Sequence, residues 1–158
     1  MAAPPPPAPD FDAAEWAVPA DDPSFSVTLG KANRLGSGAM GAVFRAQFRG
    51  EEVAGKTHHA LRDPEMYGLD DPVALGVILQ ECNRELVALS QLRHEHIVGF
   101  KGVAYTVVEG RRSPAWILME LVTGGTVHAH AAGLPPIHDT GADGRSARAC
   151  FALRCARQ

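Results

Sequence analysis

The sequence predicts an α+β fold, in which a five-stranded antiparallel sheet packs against one main helix. Two observations support this fold class. Short segments of alternating apolar and polar residues are separated by glycine-containing turns, a pattern typical of antiparallel strands. One longer segment carries apolar residues at spacings of three and four, the pattern of an amphipathic helix. The 158 residues suit one such domain, placed at 25–132, between tails at 1–24 and 133–158.

The first predicted tail, residues 1–24, is rich in proline, alanine and aspartate, and we expect it to be disordered. Phe11 and Trp16 are its only large apolar residues. The proline run at 4–7 can form a polyproline helix that binds an SH3-like or WW-like partner. A solvated tail without a partner is the simpler explanation of the same run.

Three strands are predicted between residues 25 and 56. A glycine loop at 36–41 interrupts them, and residues 49–51 supply a tight turn. The strand-forming segments are 25–29, 42–48 and 52–56. Two further strands, at 97–108 and 115–122, complete the sheet, and a hairpin loop at 109–114 joins them.

One main helix is predicted after a polar loop at 57–71. Asp71 and Pro72 favour a helix start, because aspartate caps helix ends and proline fits the first turn. Apolar residues follow on one face at Leu75, Ile78, Leu79, Cys82, Leu86, Leu89 and Leu92. This periodicity predicts that the helix ends near residues 93–94. A short helix is predicted at about 127–132, after a glycine-containing break.

The composition argues against several classes of protein. A net charge of −3 gives no broad basic surface for nucleic acid. No apolar run approaches the roughly 20 residues that cross a bilayer, so we expect no contact with a membrane. Three cysteines without a secretion signal indicate a reducing compartment, cytoplasmic or nuclear, and no structural disulfide.

Three glycines in the loop at 36–41 form a G-x-G-x-x-G motif: Gly36, Gly38 and Gly41. Two unrelated architectures share this motif. In a dinucleotide-binding fold the loop opens a helix. Here the strand-forming segment 42–48 follows instead, so we expect the loop to join two antiparallel strands. Without Cβ atoms in the way, its backbone N–H groups can close over phosphate oxygens.

A lysine and a glutamate accompany the glycine loop. Lys56 lies on the predicted strand behind the loop. Glu85 projects with the apolar face of the predicted helix, where a carboxylate is costly unless it is paired. Lys56 is its natural partner. Glu81, one helical turn earlier, competes for the same lysine, and the sequence leaves both pairings open.

These features together resemble the N-terminal lobe and hinge of a eukaryotic-type protein kinase. The segment 34–43, RLGSGAMGAV, is similar to the glycine-loop signature of that family. The segment 85–98 resembles helix C of the kinases and its exit, and 116–125 resembles strand five, the gatekeeper and the hinge. Within the family, the resemblance is closest to the tyrosine-kinase-like Ser/Thr group.

The resemblance implies an ATP site. Met119 would be the gatekeeper, Ala54 would lie over the purine, and the backbone of Glu120 and Val122 would hydrogen-bond to adenine. Lys56 would pair with the α- and β-phosphates while Glu85 holds it. The implied ATP-binding residues are Leu35, Gly36, Ser37, Gly38, Ala39, Met40, Gly41, Val43, Ala54, Lys56, Met119, Glu120 and Val122.

Two features depart from the family pattern. Gly55 precedes the lysine where a β-branched residue is usual, which loosens that strand. The stretch between Lys56 and Glu85 is longer than is common in the family, so residues 57–71 are interpreted as an insertion.

The motifs that carry the family's chemistry are missing from the sequence. H-R-D with a later asparagine, D-F-G and A-P-E do not occur in the 158 residues. His138 and Asp139 lack the intervening arginine, and no asparagine follows Asn83. The resemblance thus implies ATP as the ligand and Mg²⁺ for the family. It supplies no catalytic residue and no metal ligand in this chain.

The last predicted segment, 133–158, is an irregular tail whose Ala, Arg, Gly and Cys content resembles a frameshifted or alternative reading frame. Its cysteines and the nearby histidines fit no zinc spacing. We expect the ATP-binding lobe of a protein Ser/Thr kinase, truncated before the catalytic loop and inactive alone, whose complete form acts on a protein substrate. The alternatives are a non-catalytic nucleotide-binding or regulatory module and a non-functional fragment.

Overall fold

The computed structural model describes residues 10, 14–62, 72–108 and 110–124. Its elements are β1 (Ala17–Pro19), β2 (Phe25–Val27), a 3₁₀ turn (Lys31–Asn33), β3 (Arg34–Ser37), β4 (Gly41–Phe48), β5 (Glu51–His58), α1 (His59–Arg62), α2 (Pro72–Gln91), β6 (Phe100–Val108) and β7 (Arg111–Glu120). The predicted α+β class, with a sheet and a main helix, agrees with this arrangement.

The sheet contains seven strands within the described ranges, not the predicted five. They are ordered β1-β6-β7-β5-β4-β2, with β3 paired to β4. One additional strand, β3, includes Gly36 and Ser37, the first two residues of the predicted glycine loop. The other, β1, lies inside the segment predicted to be a disordered tail and pairs parallel to β6. Its Val18 is buried, so this part of the prediction was wrong.

The sheet is strongly curled. Strands β1 and β2 stand at opposite ends of the strand order, yet only residues 20–24 separate them in the chain. A link of this length spans at most about 20 Å, so the two ends of the sheet approach each other. Phe48 of β4 reaches Gly102 of β6, where an added Cβ would lie 2.9 Å from the phenylalanine ring.

The apolar core has two parts, one on each face of the sheet. The part beneath α2, called the helix-side cluster, consists of Leu86, Leu89, Val98, Val103, Ile117 and Met119. The opposite part consists of Val18, Phe25, Ala46, Phe48, Val53, Ala104 and Leu118. Successive residues of β7 alternate between the two parts, as the period of two in a strand requires.

The helix α2 ends at Gln91, two residues before the predicted end. Its Leu75, Cys82, Leu86 and Leu89 are buried, as the periodicity predicted. Leu92 lies beyond the helix and is 43% exposed, so it leaves the predicted apolar face. None of the helices in the described part of the chain is both long and apolar enough to cross a bilayer.

The hairpin between β6 and β7 is tighter than the predicted loop at 109–114. Val108 already pairs with Arg111, and Gly110 occupies the turn with φ of 74°. Pro114 therefore lies inside β7, opposite Tyr105 and beside an irregularity in the register. It is tolerated there because β5 pairs with β7 only from residue 117 onward, so proline's missing N–H leaves no strand unpaired.

The predicted loop at 57–71 is also shorter than expected, because β5 continues to His58 and α1 follows at once. The rest of that loop, 63–71, lies outside the described residues. So do the proline run at 4–7, the short helix predicted at 127–132 and the tail predicted at 133–158.

Candidate functional site

The glycine loop joins β3 to β4, two antiparallel strands, as the sequence predicted. Gly36 pairs with Val43, and Ser37 pairs with Ala42. The N–H of Gly38 donates to the carbonyl of Gly41 over 2.9 Å, which closes the turn. The residues from Gly36 to Met40 are exposed.

The three glycines of the motif have different structural environments. A Cβ added to Gly41 would lie 2.2 Å from the carbonyl oxygen of Thr57, so only glycine fits against β5. A Cβ added to Gly36 or Gly38 would meet nothing within 4 Å. Gly41 is therefore required for strand pairing, whereas the space beside Gly36 and Gly38 is open to a ligand.

The strand register places the predicted ligand-facing side chains on one face. Val43 of β4 pairs with Lys56 of β5, which pairs in turn with Ile117 of β7. In the adjoining row Ala54 pairs with Met119. Directly opposed residues share a face. Since Ile117 and Met119 belong to the helix-side cluster, this is the face that α2 covers.

Lys56 donates a hydrogen bond to the Glu85 carboxylate, Oε1, and forms an ion pair with it. Their side chains are 19% and 30% exposed, so the pair is partly shielded from solvent. Glu81, the competing residue, instead accepts from Arg84 over 2.8 Å on the exposed face of α2. The geometry thus resolves the alternative that the sequence left open.

Two titratable side chains surround this ion pair. Burial, with the nearby Glu85 charge second, raises the pKa of the Cys82 thiol to about 12. Burial also lowers the pKa of His58, with His59 and Lys56 adding to the effect. The Nδ1 of His58 accepts from the N–H of Ala60 over 3.1 Å, and its Nε2 is buried without a partner in the described part of the chain.

The predicted hinge is fixed to the loop that follows α2. The N–H of Glu120 donates to the carbonyl of Gly99 over 2.8 Å. Its Oε2 accepts from the N–H of Gly99 over 3.3 Å. Met119 is buried in the helix-side cluster, and Val122 packs against the same cluster. The beginning of the hinge therefore has a defined position at the edge of the site.

The sequence analysis missed His59, which contacts the tip of the glycine loop. Its Nε2 lies 3.0 Å from the carbonyl oxygen of Gly38, and its N–H donates to the carbonyl of Met40 over 3.2 Å. The ring nitrogen must be the donor, because a carbonyl can only accept. No motif marks such a residue; the contact exists because β5 ends beside the loop.

The packing of Trp116 explains why glycine occupies position 55, where the family pattern has a β-branched residue. A Cβ at this position would lie 3.3 Å from the Trp116 ring. The indole occupies the space that a β-branched side chain would need, so the strand is packed rather than loosened.

The site holds one half-buried cation, a loop with exposed backbone and an apolar face, which suits a ligand with phosphates and a flat apolar part. Within the described ranges no three His, Cys, Asp or Glu side chains group closely enough to hold a metal ion.

Comparison with known proteins gives a family match. Residues 29–132 match the family model described as protein tyrosine and serine/threonine kinase.

Two relatives are similar over most of the chain. A RasGEF domain-containing serine/threonine-protein kinase X from Dictyostelium discoideum is 31% identical over 122 residues, 77% of this chain and 10% of the relative. A mitogen-activated protein kinase kinase kinase 13-B from Xenopus laevis is 30% identical over 114 residues, 72% of this chain and 8% of the relative. The chain thus spans about a tenth or less of the length of these relatives.

Proposed function

The chain belongs to the protein tyrosine and serine/threonine kinase family, and we propose that its residues 25–132 are the ATP-binding N-terminal lobe and hinge of a protein Ser/Thr kinase. The observation that carries the proposal is the pairing of Lys56 with Glu85 on the face shared with Val43 and Ala54. In this family a strand lysine held by a helix glutamate positions the ATP phosphates. In this proposal α2 takes the place of helix C.

ATP fits the residues that are present. The open space beside Gly36 and Gly38 leaves room for phosphate oxygens. Backbone N–H groups of the loop other than that of Gly38, which already donates to Gly41, would be their donors. Lys56 supplies the positive charge and is oriented before the ligand arrives, because Glu85 already holds it. Preorganisation of this kind raises affinity by lowering the ordering cost of binding.

The adenine part would lie against the apolar face next to the hinge. Ala54 and Met119 are opposed across β5 and β7, so in this proposal they would form the apolar end of the site. The backbone of Glu120 and Val122 would supply the hydrogen bonds to the purine edge. The remaining predicted contacts come from Leu35, Ser37, Ala39 and Met40 of the loop.

Phosphoryl transfer requires residues other than these 158. Members of this family use Mg²⁺ with ATP, and the metal is held by the D-F-G aspartate and the catalytic-loop asparagine. The sequence contains neither motif. We propose that this chain binds and orients ATP, and that transfer of the γ-phosphate to a Ser or Thr hydroxyl of a protein needs a catalytic lobe.

The proposed compartment is the cytoplasm, with the nucleus as the alternative. Cys82 is a free, buried thiol in the described part of the chain, which suits a reducing environment. Protein substrates would be recruited by the complete kinase.

Isothermal titration of the 158-residue chain with ATP tests the proposal. In this proposal the chain supplies one side of an ATP-binding cleft. Binding is therefore expected to be weak, with Kd on the order of 10⁻⁴ M. Lys56→Ala removes a charge-assisted contact of about 1.5–3 kcal/mol and should weaken binding by about tenfold or more.

The matched control is Lys101→Ala. Lys101 is also a strand lysine with a carboxylate partner, Glu51, at 2.8 Å, but it is 41% exposed and lies on β6. Its replacement should leave the ATP affinity unchanged. Equal affinities for the wild type and Lys56→Ala, or equal losses in the two variants, would contradict the assignment of the site.

A further inference from the structure

The segment 14–20, called here the N-terminal strap, is attached to the sheet by a regular ladder. The N–H of Val103 donates to the carbonyl of Trp16 over 3.0 Å, and the N–H of Ala20 donates to the carbonyl of Tyr105 over 2.8 Å. Between these bonds β1 lies parallel to β6 in continuous register. The strap therefore extends the sheet at an edge that would otherwise expose unpaired backbone groups.

Gly102 shows that β6 is adapted to the strap. A Cβ at this position would lie 2.6 Å from the carbonyl oxygen of Trp16 and 2.9 Å from the ring of Phe48. Any other residue would push the strap away or displace Phe48, because side-chain atoms cannot approach so closely. Glycine at position 102 is therefore needed for the close contact between β6 and the strap.

The side chain of Trp16 joins the strap to the apolar core beneath α2. It packs against the helix-side cluster, to which α2 contributes Leu86 and Leu89. Its ring meets Phe100 edge-on, with centroids 5.5 Å apart and an interplanar angle of 76°, the arrangement that aromatic pairs favour. Phe100 packs against the same cluster, so the two rings act together.

The position of α2 is sensitive to the packing of the helix-side cluster, because the helix is anchored there. The cluster residues of α2 lie in its C-terminal half, whereas Val73 and Val77 in the first turns are 73% and 56% exposed. Glu85 directly precedes Leu86, which is fully buried. A shift of the helix over the cluster would therefore move the Glu85 carboxylate relative to Lys56.

We propose that the N-terminal strap is an intramolecular positioning element and that Trp16 is its positioning residue. By filling space at the helix-side cluster, to which Leu86 and Leu89 of α2 belong, Trp16 sets the depth and rotation of α2 at which Glu85 reaches Lys56. The consequence for ATP affinity rests on the proposed function, but the positioning of α2 does not.

Hydrogen exchange of the full, nucleotide-free chain tests the positioning directly. Trp16→Leu keeps apolar bulk and should leave the chain folded, and Trp16→Ala is the stronger variant. The matched control is Trp116→Leu, because Trp116 packs against the opposite part of the core. Amides near Glu85 in α2 should exchange at least about fivefold faster in Trp16→Leu than in Trp116→Leu. Equal exchange in the two variants would overturn the proposal.

A double-mutant cycle with ATP binding as the readout tests the link to the ion pair. Glu85→Gln should weaken ATP binding about tenfold in the wild type and in Trp116→Leu, but less than about twofold in Trp16→Leu, where the pair is already disturbed. The same loss in all three backgrounds would overturn the link. If the wild type does not bind ATP while the exchange difference is found, the proposed function fails and the positioning stands.

Discussion

Gly41 is the glycine of the loop whose replacement should affect the fold most. In Gly41→Ala the new methyl group would lie 2.2 Å from the carbonyl oxygen of Thr57. Ordinary contacts between non-bonded heavy atoms are about 3.5–4.0 Å, so the overlap exceeds about 1 Å. The obstacle is backbone rather than a flexible side chain, and β4 must therefore separate from β5 where Gly41 pairs with His58.

Overpacking of this kind costs about 1–3 kcal/mol of unfolding free energy. For a domain of about 100 residues, each kcal/mol lowers Tm by about 4–8 °C. Gly36→Ala is the matched control from the same loop, since its methyl group meets nothing within 4 Å and its φ is not positive. That control should be neutral or stabilising by up to about 1 kcal/mol, because alanine restricts the unfolded chain.

Urea unfolding followed by tryptophan fluorescence measures both variants. We expect Gly41→Ala to be less stable than Gly36→Ala by about 2 kcal/mol or more, with unchanged m-values. Equal stability of the two variants would refute the assignment of Gly41 to strand pairing. Gly36→Ala should still weaken ATP binding, because its methyl group enters the space assigned to the phosphates.

Three further predictions concern side chains around the site. The pKa of Cys82 is about 12. In a chain whose other cysteines are replaced by serine, Cys82 should react with iodoacetamide at pH 8 at least about 100-fold more slowly than an unfolded thiol. Rapid labelling of the folded chain would contradict the burial of Cys82. The lowered pKa of His58 means that the folded state binds fewer protons than the unfolded state below the ordinary histidine pKa. Stability should therefore be full above about pH 6.5 and fall as the pH drops below it. His58→Gln should reduce this slope, and a slope identical to that of the wild type would show that His58 is not the cause. Finally, His59→Ala removes one hydrogen bond to Gly38 and should speed amide exchange in the loop about fivefold, whereas His59→Gln should retain part of the protection; unchanged exchange in the alanine variant would show that the ring does not hold the loop.

The features that sequence patterns predicted are those whose signal is local. The glycines at 36–41 followed by a strand, the helical periodicity from Leu75 to Leu92, and the strand-forming segment 115–122 each lie within a short window. Of that predicted helical face, only Leu92 lies beyond α2. The α+β class and the kinase family followed from these windows and were confirmed by the described fold and the family match.

The features that the sequence analysis missed depend on pairing between distant segments. Val18 and Trp16 lie in a proline- and alanine-rich stretch whose composition suggests disorder. Their partners come from distant segments, because β1 pairs with β6 and both side chains pack into the core. Pro114 suggested a loop by its type, although it fits inside β7 where no second neighbour needs its N–H. Residue type alone does not reveal which neighbour a backbone group will meet.

The choice between two glutamates shows the same limit at the site. Glu81 and Glu85 lie one turn apart on the helix, so periodicity alone could not separate them. The packing of α2 decides the pairing, because Glu85 adjoins the buried Leu86 whereas Glu81 lies on the exposed face of the helix. The residue types of the ion pair were predictable, whereas the partner followed from tertiary packing.

Amide resonances recorded during an ATP titration of the ¹⁵N-labelled chain test the central claim most directly, because they locate the ligand. We predict that the signals of Gly36 and Gly38 shift with saturation. The amide signals of Gly50 and Gly110, which occupy turns with positive φ away from the loop, should not shift. Shifts confined to other glycines, or none at ATP concentrations well above the expected Kd, would contradict the assignment of this lobe as an ATP-binding site.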